Sequence, residues 1–257
     1  MNKLSILIIT HNRREFTEFC LRAVKQYAEP ELIADIVIGD AESTDGTAEL
    51  VDNFNFDNIR KIVYRAPAGK VAVNLRMGAE RANGKYIIIV GNDILVAPDF
   101  SRKALETIQL AEKYNIGIIA YDDDDKRLHF YGKPIQLENG IVLKRTKNVG
   151  GLVILSKAKM LLRGTGGILG AMGGKHEGWQ IWYKKFRDEL AMMFPRLGCF
   201  DMLRIATRPR GFEYIQYRRS EPIVRQLLAA DPIALENKYV KLGWSRNHPY
   251  DKLEGMK

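Results

Sequence analysis

The sequence contains no apolar stretch long enough to cross a bilayer. Its apolar runs fall well short of the roughly 20 residues that a membrane-spanning helix needs. The run within residues 1–9 is also too short for a signal-peptide core, because the polar residues Thr10, His11 and Asn12 follow at once. We therefore expect a cytoplasmic protein, with peripheral contact to a membrane left open.

Cysteine is scarce as well, since Cys20 and Cys199 are the only two in 257 residues. Neither belongs to a Cys-x-x-Cys pair, so a structural zinc site is not expected. Two distant thiols fit a reducing compartment, although the sequence alone does not decide whether they pair. Internal repeats, low-complexity tails and linkers are also missing, so residues 1–257 are predicted to form one domain.

Basic residues outnumber acidic ones, and the chain has a formal net charge of +9. Such a balance is compatible with anionic substrates, with nucleic acid or with an anionic membrane surface, and it does not choose among them. Nucleic-acid binding has no support beyond this charge, and we do not expect it.

The first half of the chain alternates apolar, β-branched runs with segments of helical periodicity. This alternation predicts a parallel, doubly wound sheet with right-handed crossovers. The predicted strands are residues 4–9, 33–38, 59–64, 86–90 and 116–121, and the predicted helices are residues 14–27, 47–54, 71–81 and 100–114.

The pattern is less regular after residue 121. Residues 122–140 are predicted to form turns and short hairpin strands, residues 150–156 a strand, and residues 179–194 a helix. The glycine-rich residues 164–178 predict an irregular loop. We divide the domain into a nucleotide-binding half, residues 1–121, and an acceptor-side half with a C-terminal helical extension, residues 122–257.

Two polar stretches stand directly after predicted strands: residues 39–47, which begin Gly-Asp, and residues 91–93, which read Gly-Asn-Asp. The carboxyl ends of neighbouring buried strands are where open α/β sheets bind ligands. A carboxylate there could read a base or ribose, and another could hold a divalent cation against a diphosphate. The sequence therefore predicts an enzyme that uses a nucleotide sugar.

Three segments occur in the order and spacing of a known family. Residues 5–13 read Ser-Ile-Leu-Ile-Ile-Thr-His-Asn-Arg, residues 40–47 read Asp-Ala-Glu-Ser-Thr-Asp-Gly-Thr, and residues 82–88 read Ala-Asn-Gly-Lys-Tyr-Ile-Ile. Over residues 4–100 the chain resembles family 2 glycosyltransferases, an inverting class that uses nucleotide-sugar donors. The resemblance implies the GT-A fold: a Rossmann-like, doubly wound, mostly parallel sheet with a less regular C-terminal acceptor region.

The resemblance assigns nucleotide contacts to six residues. They are Thr10, His11, Arg13, Asp40, Lys70 and Asn92. Asp40 would contact the base or ribose, or else cap the following helix, a role that Ser43 and Asp45 also fit. His11 could stack on the base or be an ordinary turn residue, and Lys70 could neutralise phosphate charge or be a solvated surface lysine.

The metal motif of the family is Asp-x-Asp, and residues 91–93 keep only its last acid. By resemblance Asp93 would hold Mn²⁺ or Mg²⁺, because a diphosphate and waters can supply the remaining oxygens. Asn92 would face the ribose or a metal-bound water. The alternative is a polar turn before Pro98. Residues 122–125 are four adjacent aspartates that could bind metal, but such a run is more typical of a solvated turn.

An inverting transferase also needs a carboxylate that takes the proton of the acceptor hydroxyl. The family pattern is a glycine pair, a loop and an acid that opens a helix, and Gly166, Gly167 and Glu177 follow this outline. Glu177 is also the only carboxylate between Glu138 and Asp188. Alternatively, Glu177 has no catalytic role and only complements the dipole of the helix that it opens. His176 is an alternative base.

We therefore interpret the chain as a metal-dependent inverting glycosyltransferase. It would move a sugar from a nucleoside-diphosphate sugar to an acceptor hydroxyl of a glycan, polysaccharide or lipid-linked molecule. The alternative is a catalytically silent GT-A module that binds a glycan or a protein partner. An aromatic and basic stripe within residues 182–194 could touch lipid, or it could be core packing.

Overall fold

Strands and helices alternate along the computed structural model, which describes residues 3–120, 130–146, 152–161, 189–194, 200–202 and 221–241. The strands are β1 Leu4–Thr10, β2 Ile33–Asp40, β3 Lys61–Arg65, β4 Tyr86–Gly91, β5 Ile94–Leu95, β6 Ile118–Ala120, β7 Phe130–Gln136, β8 Val142–Thr146, β9 Leu152–Ser156, β10 Leu190–Phe194 and β11 Phe200–Asp201. The helices are α1 Arg14–Tyr27, α2 Thr47–Asn53, α3 Val71–Arg81, α4 Phe100–Ala111, α5 Lys157–Leu161, α6 Pro222–Ala229 and α7 Pro232–Lys241, with a 3₁₀ turn at Glu112–Tyr114.

Nine of these strands form one sheet, in the order β3-β2-β1-β4-β9-β6-β10-β8-β7. The first four run parallel, β9 runs against β4 and β6, and β8 runs against β10 and β7. β6, β7 and β10 run in the same direction as the first four strands, and only β8 and β9 of this sheet run the opposite way. The predicted doubly wound, mostly parallel sheet is therefore confirmed. β5 and β11 form a separate two-stranded sheet.

The two faces of the sheet are covered by different helices, because side chains alternate along each strand. In β1, Leu4, Ile6 and Ile8 belong to the core that also contains residues of α1, α2 and α4. Leu7 belongs to the core on the other face, with residues of α3 and α5. Both faces are apolar, and this explains the continuous hydrophobic runs of the central strands.

The strand order reverses between β1 and β4. From β1 the chain adds β2 and then β3 on one side, and it returns to place β4 on the other side. Such a switch point leaves a crevice beyond the carboxyl ends of the two strands, where open α/β sheets bind their ligands. Thr10 ends β1 there, and Ile9 pairs with Gly91 at the end of β4.

Several predicted elements have the observed bounds. Helices α1 and α3 span the predicted residues, and the predicted helix at 100–114 ends as the 3₁₀ turn Glu112–Tyr114. The predicted helix at 179–194 is wrong for its last five residues, which form β10 between β6 and β8. Its preceding residues lie outside the described ranges. Among the described helices, none is both long and apolar enough to cross a membrane.

Candidate active site

Three of the predicted site residues lie at one edge of the sheet. Thr10 and Asp40 are register partners at the ends of β1 and β2. Asp93 lies in the short turn after β4, the strand that pairs with the other side of β1. The parallel direction of these strands is therefore what brings residues 10, 40 and 93 to the same crevice.

The loop after β1 has an unusual backbone that the loop after β2 stabilises. Asn12 and Arg13 both adopt the left-handed conformation, with φ of 55° and 62°. The backbone N–H of Asn12 donates to Ser43 Oγ at 2.8 Å, and Asn12 Oδ1 accepts the backbone N–H of Thr44 at 2.8 Å. Positive φ is costly for residues other than glycine, so these cross-links maintain a conformation that the loop alone would not favour.

Asp45 connects the same two loops and corrects one expectation. Its Oδ2 accepts the backbone N–H of Arg14, the first residue of α1, at 3.0 Å. Its Oδ1 accepts the backbone N–H of Thr47 at 3.1 Å and the hydroxyl of Thr47 at 2.5 Å. Ser43, in contrast, gives no side-chain cap to α2, because its hydroxyl is engaged with Asn12. The Ser-Thr-Asp segment therefore joins the two loops as well as opening α2.

Asp93, the predicted metal ligand, forms an ion pair with Arg13. Arg13 Nη1 donates to Asp93 Oδ2 at 3.1 Å, and the two side chains are 6% and 20% exposed. Taking two charges out of water is costly unless each neutralises the other, and here the pair does so. Arg13 was expected to contact nucleotide, and the structure places its guanidinium beside the metal motif.

Asn92 is directed into the fold. Its Nδ2 donates to Thr17 Oγ1 at 3.0 Å and to the backbone carbonyl of Asn12 at 3.4 Å. Thr17, on α1, also lies 3.5 Å from the hydroxyl of Thr10. Asn92 therefore ties the end of β4 to the loop after β1.

Asp40 is almost completely buried, with 1% of its surface exposed. Its Oδ2 accepts the backbone N–H of Ser43 at 3.3 Å and lies 3.9 Å from Nε of Arg65. Its Oδ1 is buried and has no hydrogen-bond partner within the described part of the chain. Because a buried carboxylate oxygen is costly to leave unpaired, this atom is a strong candidate to accept a hydrogen bond from a ligand.

The imidazole of His11 is fixed from the side of β2. Its Nδ1–H donates to the backbone carbonyl of Ala41 at 2.5 Å, and the residue is partly buried. This bond fixes the plane of the His11 ring, and its acceptor residue, Ala41, directly follows Asp40 in the sequence. A ring held in one plane is what stacking on an aromatic base would require.

Lys70 begins the turn into α3 and is exposed. It follows β3, whose carboxyl end lies at the same edge of the sheet as those of β1 and β2. Its ammonium group contacts no carboxylate among the described residues. Both interpretations of Lys70, phosphate contact and surface lysine, remain compatible with this position.

Cys20 supports the site from beneath. It is fully buried on α1, and its thiol lies 3.5 Å from the backbone carbonyl of Gly91. Burial raises the pKa of this thiol, and the negative charge of Asp93 adds to the effect. Cys20 is therefore a neutral packing residue at the end of β4.

The residues around Asp93 fit a divalent cation that is coordinated partly by the protein and partly by a diphosphate. Mg²⁺ is usually held by one or two carboxylates together with phosphate oxygens and waters. Asp93 supplies one carboxylate, while no group of three His, Cys, Asp or Glu side chains occurs in the residues that the structure describes. The donor set therefore suits a cation that arrives with phosphate oxygens, and it does not suit one held by protein groups alone.

Other candidates from the sequence lie outside the described residues. They are the predicted base Glu177, its alternative His176, the aspartates 122–125 and most of the aromatic and basic stripe. These assignments remain predictions.

Two neighbours of the site were missed in the sequence. Arg65 ends β3 beside Asp40, and the rule that drew attention to strand ends would also have found it. Thr17 joins Thr10 and Asn92, but it carries no sequence signal beyond its place in a helix.

A model of a known protein family matches the chain. The model described as Glycosyl transferase family 2 matches residues 5–163, which include both strand-end stretches. The chain is also similar to a dolichyl N-acetyl-α-D-glucosaminyl phosphate 3-β-D-2,3-diacetamido-2,3-dideoxy-β-D-glucuronosyltransferase of Methanococcus voltae. The two are 31% identical over 117 residues, which are 44% of this chain and 36% of the relative. The chain spans about a third of the length of the curated relatives that it matches.

Solved structures show the same fold. The crystal structure of S. aureus TarS 1-349 in complex with UDP matches with a TM-score of 0.54 at 14% identity, covering 94% of this chain and 92% of that one. The mannosyltransferase PcManGT from Pyrobaculum calidifontis, in complex with GDP-Man and Mn²⁺, matches with a TM-score of 0.52 at 12% identity, covering 99% and 79%. The fold is therefore GT-A, as the resemblance implied.

Proposed function

The chain belongs to glycosyl transferase family 2, and on that premise we propose that it moves a sugar from a nucleoside-diphosphate sugar to an acceptor hydroxyl. We further propose that the reaction inverts the anomeric carbon and depends on Mn²⁺ or Mg²⁺. The observation that carries this proposal is the buried Oδ1 of Asp40, at the carboxyl end of β2 beside Thr10, which has no hydrogen-bond partner among the described residues.

The nucleoside would bind at the ends of β1 and β2. Asp40 Oδ1 would accept a hydrogen bond from a base N–H or a ribose hydroxyl, and a charged acceptor makes such a bond strong. The half-exposed Arg65 side chain, 3.9 Å from the other oxygen, would move aside to admit the ligand. The fixed ring of His11 would stack on the base, and Thr10 would line the same pocket.

The diphosphate would bind toward the end of β4. Arg13 would supply positive charge on that side, Asp93 would hold the cation, and the carbonyl oxygen of Asn92, whose amide N–H group is bonded into the fold, would face the ribose. Lys70, which follows β3 at the same edge of the sheet, is proposed to contact the diphosphate as well. A bound divalent cation would neutralise the charge that develops on the leaving diphosphate. Arginine suits this place because its planar fork can bind phosphate oxygens in pairs.

Glu177 is proposed as the general base that takes the acceptor proton. If so, Glu177→Gln would lower turnover by about 10²–10⁴-fold and leave donor binding nearly unchanged. Unchanged turnover in this variant would remove Glu177 from the mechanism, and the same substitution at His176 would then be measured.

The relatives indicate ligand classes to test. One relative is named for a dolichyl phosphate-linked sugar, TarS has a crystal structure in complex with UDP, and the PcManGT structure is in complex with GDP-mannose. We therefore propose a UDP- or GDP-linked donor, and we include lipid-linked molecules among the acceptors.

A thermal-shift screen of UDP, GDP and dTDP, each with and without Mn²⁺, tests the proposal. A ligand that binds only the folded protein raises its melting temperature by mass action. We expect one nucleotide to stabilise the wild type and Asp57→Asn, an exposed control whose carboxylate pairs with Lys25, but to stabilise Asp40→Asn far less. The proposal fails if no nucleotide raises the melting temperature, or if Asp40→Asn responds like the control.

A silent GT-A module remains the second candidate because Asp93 is the only acid of its triplet and is paired with Arg13. Hydrolysis of a donor without acceptor, assayed across nucleotide sugars, separates the two. Slow release of nucleoside diphosphate supports the enzyme, and binding without any hydrolysis or transfer supports the module.

A further inference from the structure

The ion pair between Arg13 and Asp93 lies at the position proposed for a divalent cation. Arg13 Nη1 is 3.1 Å from Asp93 Oδ2, and only 6% of the arginine side chain is exposed. The carboxylate is therefore already neutralised by a cation that belongs to the protein.

The position of this guanidinium is determined by the backbone of the loop after β1. Arg13 has φ of 62° and Asn12 has φ of 55°, and both residues are flanked by hydrogen bonds to the loop after β2. Asp45 also accepts the backbone N–H of the next residue, Arg14. A side chain that is buried and starts from a fixed backbone has few alternative positions, so the pair with Asp93 is a built feature of the loop.

We propose that Arg13 is the built-in counter-ion of Asp93, and that its guanidinium keeps divalent cations off this carboxylate in the nucleotide-free protein. The inference rests on the proposed function in one respect, namely that Asp93 is the residue at which a cation would bind. A dication that approached Asp93 would meet the positive charge of Arg13 a few ångströms away, where the low dielectric strengthens repulsion.

The nucleoside diphosphate would change this balance. Its phosphates carry several negative charges and can accept the guanidinium fork, so Arg13 could exchange its carboxylate partner for phosphate oxygens. The carboxylate would then be available to a cation. Binding of cation and nucleotide would be positively coupled, because each would favour the arrangement that the other needs.

The test is a Mn²⁺ titration of the nucleotide-free protein, followed by the electron paramagnetic resonance signal of free Mn²⁺. We expect Arg13→Met to bind Mn²⁺ at least about tenfold more tightly than the wild type, and Arg13→Lys to stay close to the wild type. The gain should be lost in the double variant with Asp93→Asn, because the site is then without its carboxylate. Arg13→Gln is the second variant in case Arg13→Met does not fold, since its amide can still donate to Asp93.

Arg14→Met is the matched control. Arg14 is the next residue, is half exposed, and contacts Glu18 at 3.9 Å instead of Asp93. Its loss removes one positive charge from the start of α1, next to that loop, so Mn²⁺ affinity that rises equally in this variant would indicate a long-range charge effect and overturn the inference. No gain in either neutral Arg13 variant would overturn it as well.

The proposed metal role is judged separately, by titrating the wild type with Mn²⁺ in the presence of UDP or GDP. Failure to bind Mn²⁺ there contradicts a metal-dependent reaction. The comparison of Arg13 and Arg14 variants without nucleotide still decides whether Arg13 is the counter-ion of Asp93.

Discussion

Asp45 offers the sharpest test of how the site is assembled, because we regard it as a cross-link between loops. Asp45→Ala would remove three hydrogen bonds: one to the backbone N–H of Arg14, and two to Thr47. The residue itself is exposed, so no packing is lost with it. The effect of the substitution therefore measures the cross-link.

The expected cost follows from the kinds of bond that are lost. Removing a side-chain cap from a helix N-terminus costs about 1 kcal/mol, and hydrogen bonds to a charged group contribute about 1.5–3 kcal/mol when buried. Because Asp45 is exposed, we use the lower part of these ranges and expect a loss of about 2 kcal/mol in the free energy of unfolding. For a chain of this size that is a fall of roughly 4–8 °C in melting temperature.

Urea unfolding gives the comparison, with Asp52→Ala as the matched control. Asp52 is also an exposed aspartate of the same region, and its carboxylate forms a surface ion pair with Arg65 at 2.5 Å. Surface ion pairs contribute about 0–1 kcal/mol, so the control should lose at most half as much stability. Equal losses in the two variants would refute the cross-link, and Asp45→Asn should recover part of the loss.

The same variant connects the fold with the site. If Asp45 maintains the left-handed backbone at Asn12 and Arg13, Asp45→Ala should also weaken nucleotide binding although Asp45 contacts no ligand in our proposal. Calorimetry that showed unchanged nucleotide affinity, in a variant that had lost the expected stability, would separate the two roles.

Three further predictions concern residues beneath the site. Tyr64→Phe should cost about 1 kcal/mol in urea unfolding, because the hydroxyl donates a buried hydrogen bond to the carbonyl of Asn74 at 2.6 Å; no loss would contradict that role. Gly39→Ala should cost about 1–3 kcal/mol by the same measurement, since the new Cβ would lie 2.5 Å from the Tyr64 ring; a neutral result would mean that the ring can move. In a Cys199→Ala background, Cys20 should resist a thiol reagent near pH 8 until the protein is unfolded, because burial raises its pKa; rapid labelling of the native protein would show that the thiol is accessible.

Much of the fold could be predicted because local signals agree with the tertiary structure. Helix α3 has an apolar face and ends before Asn83-Gly84, so its bounds Val71–Arg81 were predicted. Residues 190–194, Leu-Ala-Met-Met-Phe, contain good helix formers, yet they form β10. Residues 190–194 form a strand because they pair with β6 on one side and β8 on the other. Pairing with strands distant in sequence leaves no local sequence signal.

The site was predictable to a similar extent. The rule that polar residues at strand ends meet in a crevice located Thr10, Asp40 and Asp93, and it depends only on strand direction. The partner of Asp93 was not predictable, because Arg13 is 80 residues away in sequence and reaches it only through a left-handed backbone. That backbone in turn depends on hydrogen bonds from another loop.

The place of β9 in the sheet has a consequence for the chain as it is being synthesised. β4, Tyr86–Gly91, pairs with β1 on one side and with β9, Leu152–Ser156, on the other, while β6 lies beyond β9 and cannot cover β4. The ribosome must add 65 more residues after Gly91 to reach Ser156, which takes roughly 3–13 s at about 5–20 residues per second. During that interval an apolar strand in the middle of the future sheet is an open edge, able to pair with another nascent chain. β9 covers the edge of β4, the strand that leads to the candidate metal ligand Asp93. The late synthesis of β9 is therefore what exposes the growing chain to aggregation.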